Sequence, residues 1–135
     1  MIWEWVSMAM GQGRPAEPAP ADLDRDYLAR LAEQVGDEAL AELLADGLVE
    51  VTDRLERLAE AAEAGDGEAL RRIAHDLTSV AGHMGLARLS LAAAACQKTL
   101  RGDPEVEPAR AAHPVLEAGP GACAGLRGWL AASAR

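Results

Sequence analysis

The chain holds no phenylalanine, one tyrosine and three tryptophans in 135 residues. Valine, isoleucine and threonine are scarce too, so the residues that suit a pleated, half-buried surface are missing and a β-rich fold is disfavoured. Cys96 and Cys123 are the only cysteines. They lie far apart, without Cys-x-x-Cys or Cys/His ligand spacing, which argues against a disulfide framework or a zinc site. Both read as small buried hydrophobes. Basic residues are outnumbered, 13 Lys and Arg against 22 Asp and Glu, for a net charge of −9. Wrapping nucleic acid needs cations to displace counterions from phosphates, so that class of function is disfavoured. No stretch approaches the roughly 20 uncharged apolar residues of a bilayer span, and Met1 to Met10 lacks the positive start of a secretory leader. A cytoplasmic chain is expected, with that decapeptide packed on the folded domain or disordered rather than lying on a membrane.

What is abundant is helix-forming. Thirty alanines and 18 leucines predict an all-α domain, and a chain of this size buries one core without metals or disulfides to staple it. Gly11, Gly13, Pro15, Pro18 and Pro20 mark a linker, so residues 1–21 are read as an N-terminal segment plus linker and 22–135 as the folded domain. Asp22 or Asp24 can cap a helix bearing Leu23, Tyr27, Leu28 and Leu31, which ends near Val35 and Gly36; Asp37 starts the next. From there Leu40, Leu44, Leu48, Val51, Leu55, Leu58 and Ala62 recur at three- and four-residue steps, one apolar stripe on a long bundle helix. Its acidic residues Glu50, Asp53, Glu56, Glu60 and Glu63 alternate with Arg54 and Arg57, the pattern of a solvated face. Gly65-Asp66-Gly67 breaks that helix, and Asp66 can cap a third over Glu68 to Met84, closed by Gly85. A fourth runs from about Ala87 to Leu100 and stops at Gly102-Asp103-Pro104. Glu105 to Ala112 reads as a short helix or an irregular crossing. Pro114 to Ser133 reads as a last helix, kinked or delayed at Gly119-Pro120-Gly121.

Chemistry concentrates on the third helix. With Ile73 as origin and about 100° per residue, Leu70, Leu77, Val80, Ala81 and Met84 fall within about 80° and define a buried face, while His75 falls about 200° away. The imidazole is thus free for a partner. Arg71 and Arg72 lie one turn back on the same strip, Thr78 and Ser79 one turn forward and Gly82 two. Such a strip is small, polar and locally basic, which suits a phosphoryl group on imidazole and a protein that must approach to deliver it. Asp76 lies about 100° from His75, so the two make no i,i+4 ligand pair, and no His-Glu-x-x-His occurs. No metal site is expected. Neither Gly11-Gln12-Gly13 nor Gly119-Pro120-Gly121 is a phosphate loop, and no ATP site is expected.

The run Ala74-His75-Asp76-Leu77-Thr78-Ser79-Val80-Ala81-Gly82-His83-Met84-Gly85 resembles the signature of histidine phosphotransfer (HPt) domains: a His followed by Leu two, Lys three, Gly four and another Gly ten positions on. Leu77 and Gly85 match, Ser79 is a near match, and Thr78 stands where the family has Lys. Glu60 to Arg72 looks like the family's preceding hairpin. The resemblance covers about residues 22–135, with its specificity between Asp66 and Leu89. It implies a monomeric four-helix up-down bundle with an additional N-terminal helix. It also implies a phosphoryl carrier that is neither a kinase nor any other enzyme by itself. His75 would accept the group from a receiver-domain aspartate of a hybrid histidine kinase and pass it to a response regulator, whose receiver supplies the Mg²⁺; the chain itself needs no cofactor. Arg71, Arg72, Thr78, Ser79, Gly82 and His83 would support the phosphate or the docking surface, with Arg71 in place of the family's Lys. His83 is also read as a polar flank contact, and His113 as structural or surface. Two alternatives stand beside this: a helical interaction module that binds receivers without phosphotransfer, and the phosphoacceptor bundle of a dimeric histidine kinase.

Overall fold

The computed structural model describes residues 21–134, so the N-terminal segment and linker, but for Ala21, lie outside the described residues. Five helices follow one another: α1 (Arg25–Val35), α2 (Asp37–Glu63), α3 (Gly67–His83), α4 (Ala87–Gly102) and α5 (Pro108–Ser133). Their limits are written in cap chemistry. The Asp24 carboxylate accepts from the Tyr27 amide at 3.0 Å, and Asp66 accepts from Ala69 in the same way at 3.0 Å. Each thereby satisfies one of the donors that a helix start leaves open. At the end of α3 the Leu86 amide donates to the Ala81 carbonyl at 2.9 Å and the Gly85 amide to Gly82 at 3.3 Å, the paired bonds of a Schellman cap. Gly85 takes φ 74° there, and Gly65 takes φ 70° in the equivalent turn after α2.

The α2–α3 and α3–α4 connections are only a few residues long, which forces antiparallel neighbours. The helices α2, α3, α4 and α5 close a ring in which each packs against the next, α5 returning to α2, while α1 rests on α2. Leu40, Leu44, Val51, Leu58, Leu70, Leu77, Leu86, Leu89, Val115 and Leu126 fill the interior with no exposure, each burial stabilising by about 1.5–3 kcal/mol. The segment before α1 is tied across the α3–α4 turn. Asp24 donates its amide to the Gly85 carbonyl at 2.8 Å, Tyr27 Oη donates to the His83 carbonyl at 2.9 Å, and Arg88 pairs with Asp22 at 3.3 Å.

Two expectations need correction. The last helix starts at Pro108 and runs unbroken to Ser133 through Pro114 and Pro120, so residues 108–112 belong to it rather than to a crossing or a separate helix, while Glu105 to Glu107 stay irregular. Each proline removes one ladder bond and leaves the carbonyl four residues earlier without its donor. Those carbonyls belong to Arg110 and Leu116, both exposed, so water can satisfy them, while Ala111, Val115, Ala118, Ala122 and Leu126 hold the helix to its neighbours by burial. The buried face of α3 is also rotated. Ile73 and Val80 are only half-buried, whereas Ala74 is fully buried beside Leu70, Leu77 and Ala81, placing the centre about 60° round from Ile73. His75 remains outside it, exposed.

Candidate functional site

His75 stands on the outward side of α3 because its neighbours Ala74 and Leu77 take the inward positions. Its ring is held from α4: Nδ1 lies 3.3 Å from Oε1 of Gln97. Gln97 is the one polar residue in the buried stripe of α4, 8 % exposed among Leu89, Ala93 and Cys96. Its amide nitrogen donates to Thr78 Oγ1 at 2.8 Å, and the Thr78 hydroxyl donates to the Ala74 carbonyl at 2.8 Å. Ser90 of α4 donates to the carbonyl of Thr78 at 2.8 Å.

Proton accounting along this chain is restrictive. A hydroxyl has one hydrogen and two lone pairs; with its hydrogen on Ala74, Thr78 Oγ1 can only accept, so the NH₂ of Gln97 faces Thr78 and its oxygen faces His75. That oxygen accepts only, so in this arrangement Nδ1 carries the imidazole proton. Nε2 of the neutral ring is left with its lone pair unused, the atom from which a nucleophile acts.

The other sequence-selected residues surround His75 in different ways. Arg71 and Arg72 join it in a concavity of about 470 Å³ lined also by Ile73, Asp76 and Arg57. Arg57 reaches this pocket from α2, where it pairs with Asp53 at 2.9 Å. Arg71 is bonded to Glu68 at 2.8 Å, and Arg72 lies 3.6 Å from the same carboxylate. The hydrogen bond and the charge of Arg71 hold the Glu68 carboxyl below its usual range, and Glu68 raises Arg71 in return. Arg54 of α2 reaches toward Asp76, with 4.0 Å between Nε and Oδ2. Ser79 and Gly82 are exposed one and two turns along from His75. A side chain at position 82 would come within 3.3 Å of Ser90 Oγ, so glycine there also lets α4 approach.

Thr78 differs most from expectation: its hydroxyl proton is directed inward to Ala74 rather than outward toward a phosphoryl group. His83 is exposed and meets α1 only through its carbonyl, so the structure does not bring its ring into the network. His113 is an exposed partner of Glu117 at 3.3 Å on α5. Both cysteines are buried, and burial pushes the Cys96 thiol up to about 11. Among the described residues no group of three or more His, Cys, Asp or Glu side chains could hold a metal ion, and no helix is long and apolar enough to cross a membrane.

Two residues escaped the sequence reading. Arg57 stands on a solvated face, as its sequence pattern indicates, yet it also lines the concavity beside His75. Gln97 lies in an alanine-rich helix, where its spacing of four from Ala93 and eight from Leu89 puts a polar side chain in an apolar stripe, which is the available signal.

The model of the Hpt domain family matches residues 42–133, about two thirds of the chain, spanning most of α2 and all of α3, α4 and α5. The chain belongs to the Hpt domain family. Hpt domains are phosphoryl carriers of two-component signalling, not kinases, and this one has the all-α bundle with an extra N-terminal helix. Neither the curated proteins nor the solved structures contain a match to it. Within this Hpt domain the His75 network lies wholly inside the matched region, whereas α1 and the Asp22 to Tyr27 contacts precede it.

Proposed function

We propose that this Hpt domain accepts a phosphoryl group on Nε2 of His75 from the aspartyl phosphate of a receiver domain and passes it to the aspartate of a second receiver, that of a response regulator. The observation that carries the reading is the exposed imidazole whose Nδ1 is fixed by Gln97. In the accepting step the Nε2 lone pair forms the new N–P bond in line with the breaking P–O bond, and the aspartate leaves as carboxylate. The resulting imidazolium keeps its Nδ1 proton on Gln97 Oε1, so no general base on this chain is needed. Arg71 and Arg72, with Arg57 from α2, stand in one concavity with His75 and can offset the phosphoryl charge there. They take the part of the family's Lys, where this chain has Thr78. The Mg²⁺ of the reaction belongs to the receiver. Ser79 and Gly82 leave the face beside His75 low enough for the receiver's loops to approach.

Four helices of one chain complete the bundle core, which favours a monomeric carrier over a bundle shared between two phosphoacceptor hairpins. The same reading places the domain in the cytoplasm with soluble receivers. Incubation with a phosphorylated receiver is expected to label the wild-type chain with acid-labile, base-stable phosphate, and His75→Gln is expected to stay unlabelled. A wild-type chain that binds receivers but takes up no phosphate would instead make it an interaction module, and label retained in His75→Gln would move the site elsewhere.

A further inference from the structure

We infer that Thr78 is a positioning residue for the histidine: through Gln97 it selects the imidazole tautomer, and so which ring nitrogen is free to react. Four residues share three hydrogens in a row, His75 to Gln97, Gln97 to Thr78 and Thr78 to Ala74. The row has two arrangements, of which only the first makes all three bonds. In one, Thr78 donates to the Ala74 carbonyl, the amide nitrogen of Gln97 donates to Thr78, and Nδ1–H donates to Gln97, leaving Nε2 bare. In the other, Thr78 turns its single hydrogen to an inverted Gln97 and leaves the Ala74 carbonyl without it, the amide nitrogen donates to a bare Nδ1, and Nε2 carries the proton that would block attack.

The heavy-atom positions fit the first arrangement, and three features favour it. Oγ1 of Thr78 lies 2.8 Å from the carbonyl four residues back, the local bond a helical threonine makes with its own turn. The carbonyl of Thr78 is itself held by Ser90 at 2.8 Å, which fixes the height of α4 against α3 and keeps Gln97 level with His75. Gln97 is 8 % exposed, so its amide has little water to satisfy a wrong orientation, and an unsatisfied buried group is costly. A lysine at this position could send a charge outward but could not accept from Gln97. The substitution therefore replaces an outward cation with an inward acceptor.

This inference builds on the proposed function but is tested separately. The decisive readout is the ¹⁵N chemical shift of the two His75 ring nitrogens in the unphosphorylated chain, in alkaline buffer where imidazoles are neutral. Wild type is expected to show a protonated Nδ1 and a bare Nε2. Thr78→Val, which keeps the shape and removes the acceptor, is expected to shift the population toward protonated Nε2. Thr78→Ser, which restores the hydroxyl, is expected to return the wild-type pattern. In parallel, phosphoramidate transfers its phosphoryl group to imidazole and releases ammonia without any protein partner. Labelling of Nε2 by this reagent is expected to slow about fivefold in Thr78→Val, the factor that one net hydrogen bond supplies, and to recover in Thr78→Ser. An unchanged ¹⁵N pattern in folded Thr78→Val would overturn the inference. So would a slowed Thr78→Ser with the wild-type tautomer. If receivers never label wild-type His75 while the tautomer responds as described, the proposed function fails and the role of Thr78 stands.

Discussion

Arg71, proposed above to support the phosphoryl group, adds little to the fold. Its bond to Glu68 is open to solvent, and solvent screens such pairs until they contribute almost nothing to stability. The Glu68 carboxyl is depressed, so whatever the pair contributes is present above the ordinary carboxylate range and fades as pH falls through it. Arg71→Ala is expected to leave the thermal midpoint within error, to return Glu68 titration toward its usual range by ¹³C NMR, and to slow phosphotransfer or shorten the phosphohistidine lifetime. Transfer at the wild-type rate would remove Arg71 from the site. Cys96 makes the opposite case. Burial raises its thiol to about 11, so at pH 8 the reactive thiolate is scarce and iodoacetamide is expected to modify it only after denaturation; rapid alkylation of the native chain would contradict the burial. His75 was legible in the sequence because its exposure depends on the periodicity of one helix. Gln97 was not, because a contact between residues 22 apart exists only after α4 has packed on α3.

At the scale of elements, cap residues announced most boundaries and prolines misled about one. Asp24, Asp66, Gly36 and Gly85 lie where the chain must change direction, and each carries its local reason. Position 85 pairs a left-handed backbone with the Tyr27 ring, whose Cδ2 would stand 3.0 Å from an added Cβ, whereas Gly65 has the same hand and open space around it. Gly65→Ala is expected to cost about 1–2 kcal/mol for the backbone alone, and Gly85→Ala more, in denaturant unfolding. Equal costs would show that the Tyr27 contact is not felt. The α5 start was not legible, since local rules penalise Pro114 and Pro120 while the burial that overrides them is supplied by α2 and α4. The rotation of α3 has a similar cause. Ile73 is the larger side chain, but the close approach of neighbouring helices selects the smaller Ala74 for full burial.

For the molecule as a whole, the fold class and the family followed from pattern, while the proposed site draws on three helices. α3 presents His75, α4 fixes its Nδ1, and α2 brings Arg57 to the concavity beside it. A carrier of this design should do more than accept. The most direct measurement is a chase: the chain is loaded with ³²P from one phosphorylated receiver, separated, and mixed with a second, unphosphorylated receiver and Mg²⁺. The expected result is that label leaves His75 and appears on the second receiver's aspartate faster than it appears as inorganic phosphate. Label that never enters the wild-type chain, or that leaves it only as free phosphate whichever receiver is offered, would contradict the carrier role.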